Sequence, residues 1–384
     1  MKFIASSLDR SQAFEIRFQE PGLVEVSASS TEPCRENNLF LCRGMVDLQV
    51  NGYGGIDMAD PGIDVPTIET FCRNQLQMGV VRFLPTLTTQ AVESFSAALG
   101  NLQRLAKEST LFRTMFLGFH LEGPFISPQD GPRGAHPRRF CREPDLVLFE
   151  ELQSRAGGQI RMVTLSPEYD SAMPFIEKVA ESCVVSIGHT AATPKQIRQA
   201  AEAGATLSTH LGNGMHKELA RHPNYLWEQL AEDRLMAGLI ADGVHLDRSV
   251  LQSMIRSKGA KRCFLVSDST VLSGMPPGRY ENSSLGDVEV TEDHRLVIAG
   301  QRIYQAGAYR PLIDGLNRLI REQGMDLVDG FRLVSDHPLK GLGLGDPDDE
   351  LLDSRVLLRA DEDGVSVVLA TVGSTTVTEK DALH

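Results

Sequence analysis

The sequence predicts an α/β chain: a (β/α)8 TIM barrel joined to a small β-sandwich domain built from both termini. Three observations lead there. From Gly44 onward, short β-branched and apolar runs alternate with amphipathic helical stretches, the pattern of parallel strands linked by crossover helices. Eight such runs can be placed, which suits a closed barrel of about 250 residues better than an open sheet. No G-x-G-x-x-G turn follows the first of them, as a dinucleotide-binding sheet would show. The flanks alternate instead with period two.

Taken in order, the barrel runs are Met45 to Val50, Val80 to Leu87, Met115 to Leu121, Ile160 to Leu165, Val184 to Gly188, Ala205 to His210, Ala237 to Ala241 and Cys263 to Ser267. The helices between them carry their own punctuation. Thr193 can cap a helix with Pro194 in its first turn and Gly204 past its end, and Asp247 to Lys258 is closed by Gly259. Phe14 to Phe18 and Leu23 to Val26 before the barrel, and Val356 to Leu358 and Val365 to Val372 after it, read as short antiparallel strands. These patterns predict residues 1–43 and 350–384 as the small β-domain and 44–349 as the barrel.

The chain has 384 residues with 41% hydrophobic and 23% charged side chains, enough apolar surface for a large core. A net charge of −13 argues against a nucleic-acid footprint, which needs a dense basic face. No run approaches the roughly 20 apolar residues of a membrane span. Six scattered cysteines without a C-x-x-C pair, and an amino terminus without an apolar stretch long enough for a signal peptide, point to reduced thiols and the cytoplasm.

Barrel active sites lie at the carboxyl ends of the strands, and nearly every predicted strand ends in something reactive. Strand one runs through Asp47, Gln49 and Asn51, and strand three through His120 and Glu122. Strands five and six end at His189 and His210, strand seven at Asp242 and His245, and strand eight at Asp268. A carboxylate and two imidazoles from three strands form the kind of ligand set a catalytic zinc-like ion needs, with a position left for water. His120 shares a strand face with Glu122 and is expected in the barrel interior, not as a ligand. The proline- and glycine-rich stretch from Pro124 to Pro137 is long for a βα turn and is expected to cover substrate.

The segments HLEGPFISPQDGPRGAHP, IGHTAATPKQI, GATLSTHLGNGM, IADGVHLD and FLVSDST resemble, in order and spacing, the signature stretches of N-acetylglucosamine-6-phosphate deacetylases of the amidohydrolase superfamily. The resemblance spans roughly Gly44 to Gly345. It implies Glu122, His189 and His210 as ligands of one divalent metal ion, Zn2+ first, with Fe2+, Co2+ or Mn2+ as alternatives. Asp268 would be the acid/base acting on water, and His136 would stabilise the oxyanion. Where many amidohydrolases place a His-x-His pair for a second metal, this chain has Gln49 and Asn51. These are poor ligands for a transition metal, hence the expectation of a single ion; they either line the substrate site or satisfy backbone groups at the barrel mouth.

The same resemblance points to Ala135, Asn213, Gly214, Arg221 and His245 as substrate-binding residues, the last four for a phosphate, and to a homodimer whose second subunit completes the site. The implied reaction converts N-acetylglucosamine-6-phosphate to glucosamine-6-phosphate and acetate. Alternatives are another N-acyl sugar or N-acyl amino acid as substrate, or a catalytically silent barrel that only binds. The sequence departs from the family's pattern at Ala308, in place of a serine, at Asp336 to Pro338, in place of an Asn-Pro-Ala turn, at Gly212 and Gly214, where bulkier residues often shape the sugar pocket, and between Gly343 and Leu352.

Overall fold

The computed structural model describes residues 2–19, 23–29, 38–283, 286–299, 301–345, 351 and 353–379. Four strands come first: β1 (Lys2–Ser7), β2 (Ala13–Gln19), β3 (Leu23–Ala28) and β4 (Leu39–Cys42). The barrel follows, from β5 (Met45–Val50) through a two-stranded ribbon, β6 (Gly52–Tyr53) and β7 (Ile56–Asp57), to β8 (Val80–Thr88), β9 (Phe119–Glu122), β10 (Ile160–Leu165), β11 (Val184–Ile187), β12 (Ala205–Ser208), β13 (Met236–Leu239) and β14 (Cys263–Leu265). Strands β15 (Gly278–Ser283), β16 (Gly286–Val290), β17 (Leu296–Ile298) and β18 (Gln301–Gly307) form a separate antiparallel sheet, and β19 (Ser354–Asp361), β20 (Gly364–Val372) and β21 (Thr375–Thr378) close the chain.

The eight barrel strands pair in parallel in the order β14-β13-β12-β11-β10-β9-β8-β5. The ring is completed between its ends by a bridge from Val50 to Ser269, with Asp268 N–H donating to the Gln49 carbonyl at 3.0 Å and Asn51 N–H to that of Ser269 at 2.9 Å. The crossovers are α1 (Val65–Gln77), α2 (Val92–Glu108), α3 (Thr110–Met115), α4 (Leu146–Arg155), α5 (Ala172–Val179), α6 (Pro194–Ala203), α7 (Tyr225–Ala231) and α8 (Arg248–Lys258), with α9 (Leu312–Gln323), α10 (Leu327–Arg332) and α11 (Asp336–Gly341) after the last strand. Local chemistry sets their ends as anticipated. Thr193 and Gln196 form a reciprocal capping box at α6, Asp247 accepts from Ser249 N–H at α8, and Gly204 and Gly259 end these two helices with positive φ.

The core is aromatic on one side of the barrel. Phe71, Phe83, Phe112 and Phe119 are fully buried, and the Phe83 ring lies 5.3 Å from Phe71 and 6.1 Å from Phe112, joining α1, β8 and α3. The third strand starts later than its apolar run suggests: Ser109 caps α3, which takes the run's first residue, Met115, and Gly118 at φ 125° then lets the chain turn into β9.

The termini form one seven-stranded, mostly antiparallel sheet in the order β21-β20-β19-β4-β1-β2-β3, with β1 and β4 parallel. Ala5, Ile16 and Phe18 from one half share a small core with Leu357, Val368 and Leu369 from the other. Cys42, Cys72, Cys141, Cys183 and Cys263 are free thiols. Cys34 and residue 350, at the expected domain boundary, lie outside the described residues.

Candidate active site and metal centre

At the carboxyl mouth of the barrel, Glu122 ends β9, while His189 and His210 stand just beyond β11 and β12. His210 Nε2 lies 2.8 Å and His189 Nε2 3.1 Å from Glu122 Oε1, and the two Nε2 atoms are 3.1 Å apart. All three side chains are buried. The backbone of His189 (φ 49°), His210 (φ 27°) and Asp268 (φ 50°) is left-handed, a conformation that non-glycine residues seldom adopt and that concentrates at functional sites. Of the five such non-glycine residues among those described, three are therefore here.

The donors fit a cation. His189 Nδ1 lies 2.8 Å from the carbonyl oxygen of Pro132. A carbonyl can only accept, so Nδ1 carries a hydrogen and Nε2 is the ring nitrogen that a cation beside the Glu122 carboxylate would engage. Burial alone would raise the Glu122 carboxyl, but the two imidazoles hold it well below the usual range; burial would lower His210, and Glu122 raises it. A carboxylate and ring nitrogens gathered this closely in a dry site call for positive charge between them.

A third imidazole competes for a ligand place, because Glu122, His136 and His189 can also bring one ligand atom each to within 4.8 Å of one another. The hydrogen bonding of His136 decides against it. Its Nδ1 accepts from Thr89 N–H at 3.3 Å, with the Thr89 hydroxyl at 2.9 Å. A backbone N–H cannot reverse its role, so the ring proton is on Nε2. Burial, with His189 nearby, pushes this imidazole down to about 3, which keeps it neutral. His136 therefore offers an N–H donor beside Glu122 and His189. His120, below them, spends both ring nitrogens on hydroxyls, Nδ1 on Thr86 Oγ1 at 3.2 Å and Nε2 on Thr164 Oγ1 at 2.7 Å. Thr164 continues to Thr209 and Ser186, a polar layer under the site.

Opposite the ligands, Asp268 is held by strand one. Gln49 Nε2 donates to its Oδ1 at 3.0 Å and Asn51 Nδ2 to the same oxygen at 2.8 Å. The two amides thus serve the carboxylate, which leaves Oδ2 as the oxygen free to exchange a proton. Burial pushes Asp268 up to about 7, aided by the negative charge of Glu122 and opposed by His210 and His245. Asn51 Oδ1 is buried without a partner among the described residues.

The remaining expected residues are more dispersed. Asn213 donates to the His210 carbonyl at 3.2 Å, and a Cβ on Gly214 would stand 2.7 Å from His189 Nδ1, so this loop lies directly against a proposed ligand. His245 is oriented by Asp242, whose Oδ2 is 2.7 Å from its Nδ1. Ala135 is exposed on the loop after β9, and Arg221 is exposed on the loop before α7. Sequence reasoning missed Thr89 and the Pro132 carbonyl, which set the imidazole tautomers. A threonine at the end of a strand was the available signal for the first; a backbone carbonyl leaves none.

No protein-family model matches the chain. The N-acetylglucosamine-6-phosphate deacetylase of Bacillus subtilis (strain 168) is 33% identical to it over 309 residues, 80% of this chain and 76% of the relative. The chain belongs to the N-acetylglucosamine-6-phosphate deacetylase family. As a member, it is an amide hydrolase of the deacetylase type. An N-acetylgalactosamine-6-phosphate deacetylase from Escherichia coli O157:H7 is 29% identical over 306 residues, 79% of this chain and 78% of the relative. Among solved structures, an N-acetyl-D-glucosamine-6-phosphate deacetylase variant from Mycobacterium smegmatis, in complex with N-acetyl-D-glucosamine-6-phosphate, superposes with a TM-score of 0.80 at 25% identity, covering 95% of this chain and 94% of that one. The deacetylase family's barrel and flanking sheet are those described above.

Proposed function

We propose that this deacetylase hydrolyses the acetamide of N-acetylglucosamine-6-phosphate to glucosamine-6-phosphate and acetate, with Glu122, His189 and His210 holding one divalent ion. Zn2+ is the first choice for two imidazoles and a carboxylate, and Fe2+, Co2+ and Mn2+ suit the same donors. The observation that carries the reading is the meeting of these ligands, within 3.1 Å of one another, at a barrel mouth that also holds Asp268.

The bound metal supplies Lewis acidity, which makes water nucleophilic near neutral pH. Asp268 accepts the proton of the attacking water at Oδ2, while Gln49 and Asn51 keep Oδ1 occupied. It then returns the proton to the amide nitrogen, which leaves poorly unless protonated. The Nε2–H of His136 donates to the acetyl oxygen as negative charge develops there. The Gly214 N–H, Asn213 and His245 receive the phosphate, and Ala135 borders the sugar from the covering loop.

Arg221, exposed in its own chain, would complete the phosphate site of a neighbouring copy. Its planar fork meets phosphate oxygens in pairs, so the active form is a homodimer. A cytoplasmic enzyme fits this intermediary chemistry, and no helix among the described residues is long and apolar enough to cross a membrane. N-acetylgalactosamine-6-phosphate is the second reading. The 29% identity to a deacetylase named for that sugar, and the small Gly214 against His189, favour it.

Acetate release from N-acetylglucosamine-6-phosphate, N-acetylgalactosamine-6-phosphate and unphosphorylated N-acetylglucosamine separates the readings. The glucosamine phosphate should be the best substrate by kcat/KM and the unphosphorylated sugar the poorest. Preference for the galactosamine phosphate would transfer the assignment, and equal use of the unphosphorylated sugar would remove the phosphate from it.

A further inference from the structure

We infer that Asp47 is a positioning residue that sets Asp268 in place across the seam where the barrel closes. The inference rests on the reading of Asp268 as the proton acceptor, and its experiment shows a failure of that reading separately.

A closed barrel joins its first strand to its last, and here β5 and β14 do not pair along their length. Among the described residues, the bridge across this seam is that of Val50 to Ser269, beyond the end of β14. Deeper in the barrel a piece of backbone wedges the two strands apart. Just after α10, the Leu333 carbonyl accepts from Leu265 N–H of β14 at 2.8 Å and the Val334 carbonyl from Val46 N–H of β5 at 2.7 Å. Toward the mouth the chains converge, and Asp268 N–H donates to the Gln49 carbonyl at 3.0 Å. Between wedge and contact, the Asp47 carboxylate spans the gap. Its Oδ1 accepts from Gln49 N–H at 3.2 Å and from Ser267 N–H at 3.2 Å, and its Oδ2 lies 3.3 Å from the same Ser267 nitrogen. Left unmet in a dry interior, those N–H groups would be costly.

Both donors lead to Asp268. Ser267 precedes it in the chain. Gln49 touches it twice, through the carbonyl that accepts its N–H and through Nε2, which donates to its Oδ1 at 3.0 Å. Asp268 holds a left-handed backbone at φ 50°, which a non-glycine residue keeps only where its surroundings impose it. Asp47 itself is 1% exposed and lies two residues before Gln49, on the same strand face and deeper in the barrel. Burial pushes its carboxyl up to about 6, against the pull of the Ser267 and Gln49 hydrogen bonds, so at neutral pH it is an anion that grips both N–H groups. Without that grip the spread at the wedge reaches Ser267, and Asp268 shifts against the residues on the opposite side of the mouth.

The test compares full-length Asp47→Ala, Asp47→Asn, Asp268→Asn and the double variant Asp47→Ala with Asp268→Asn, by steady-state acetate release from the best substrate of the wild type. Asp47→Ala should lower kcat about 10–100-fold, the loss expected when a reacting group is displaced by about an ångström, and should leave KM within about twofold. Asp47→Asn, whose Oδ1 can still accept from both N–H groups, should recover most of that loss. In the Asp268→Asn background, Asp47→Ala should remove nothing further, because the group it serves is already gone. In the metal-free protein, hydrogen exchange at the Gln49 and Ser267 amides should quicken in Asp47→Ala. Asp47→Ser, whose hydroxyl reaches at most one of the two N–H groups, takes the place of Asp47→Ala should circular dichroism show the latter unfolded. A folded variant with wild-type kcat overturns the inference. So does a fall of equal size with Asp268 present or absent, which would make Asp47 a general support of the barrel mouth. Wild-type turnover in Asp268→Asn alone would remove the proton-acceptor reading, and this inference with it, in a variant that leaves Asp47 untouched.

Discussion

Replacing Asp268 with asparagine isolates the proton transfer from the architecture around it. The side-chain amide keeps an oxygen where Oδ1 now accepts from Gln49 at 3.0 Å and Asn51 at 2.8 Å, and it places an NH2 group where Oδ2 stands. Binding geometry should survive while the proton acceptor is lost. General acid–base groups contribute about 10²–10⁴ in rate, so kcat should fall by that factor, about 3–5 kcal/mol in the barrier. KM should change little and metal content not at all.

Stability should move the other way in the metal-free protein. The Asp268 carboxyl titrates at about 7 in the fold against 3.8 ordinarily. Between these values the folded chain holds a proton that the unfolded chain has lost, so this group's contribution to stability declines as pH rises through the window. An asparagine carries no such penalty. At pH 8 the metal-free Asp268→Asn protein should therefore melt no lower than metal-free wild type. Steady-state acetate release, metal analysis and thermal melts check the three expectations. Turnover above a tenth of wild type would remove Asp268 from the proton path.

Other substitutions probe separate parts of the molecule. Glu122→Gln removes the charge between the two imidazoles and should lower bound metal well below one per chain, read by elemental analysis after dialysis; full occupancy would take Glu122 out of the ligand set. Arg82 is 8% exposed and pairs with Asp353, 44% exposed, joining β8 to the approach to β19. Because the acid partner is half solvated, Arg82→Met should cost about 1–3 kcal/mol in denaturant unfolding, and an unchanged midpoint would show that this link is slack. Phe83→Ala empties a fully buried place between Phe71 and Phe112 and should cost about 3–5 kcal/mol. A loss below about 1 kcal/mol would mean that the neighbouring rings close the gap.

The barrel was legible because its strands are apolar on both faces and its helices carry caps, as at Thr193 and Asp247. The strand ends were legible because buried barrel strands seldom finish in His or Asp without a reason. What escaped was the sheet from Gly278 to Gly307, whose period-two pattern, as in Val288 and Val290, lies beyond the last barrel run, where the β/α rhythm has already ended. It is stabilised by a core of its own around Leu272, Val288, Val290 and Leu296. Strands β1, β4 and β21 also went unplaced, being short; β4 depends besides on a partner more than 300 residues away, as Cys42 does on Val356. In the site, the reactive strand ends and the family resemblance pointed to Glu122, His189 and His210, which the fold brings together. They could not indicate which oxygen of Asp268 is occupied, or where each imidazole carries its proton. Those are set by Asn51, Thr89 and the Pro132 carbonyl, contacts that exist only once the barrel closes.

Anomalous diffraction at the zinc absorption edge, from crystals of the Zn2+-loaded protein, addresses the metal centre directly. A single peak among Glu122 Oε1, His189 Nε2 and His210 Nε2 is the predicted result. A peak that uses His136 in place of His210, a second peak at Gln49 and Asn51, or no peak at the barrel mouth would contradict the account.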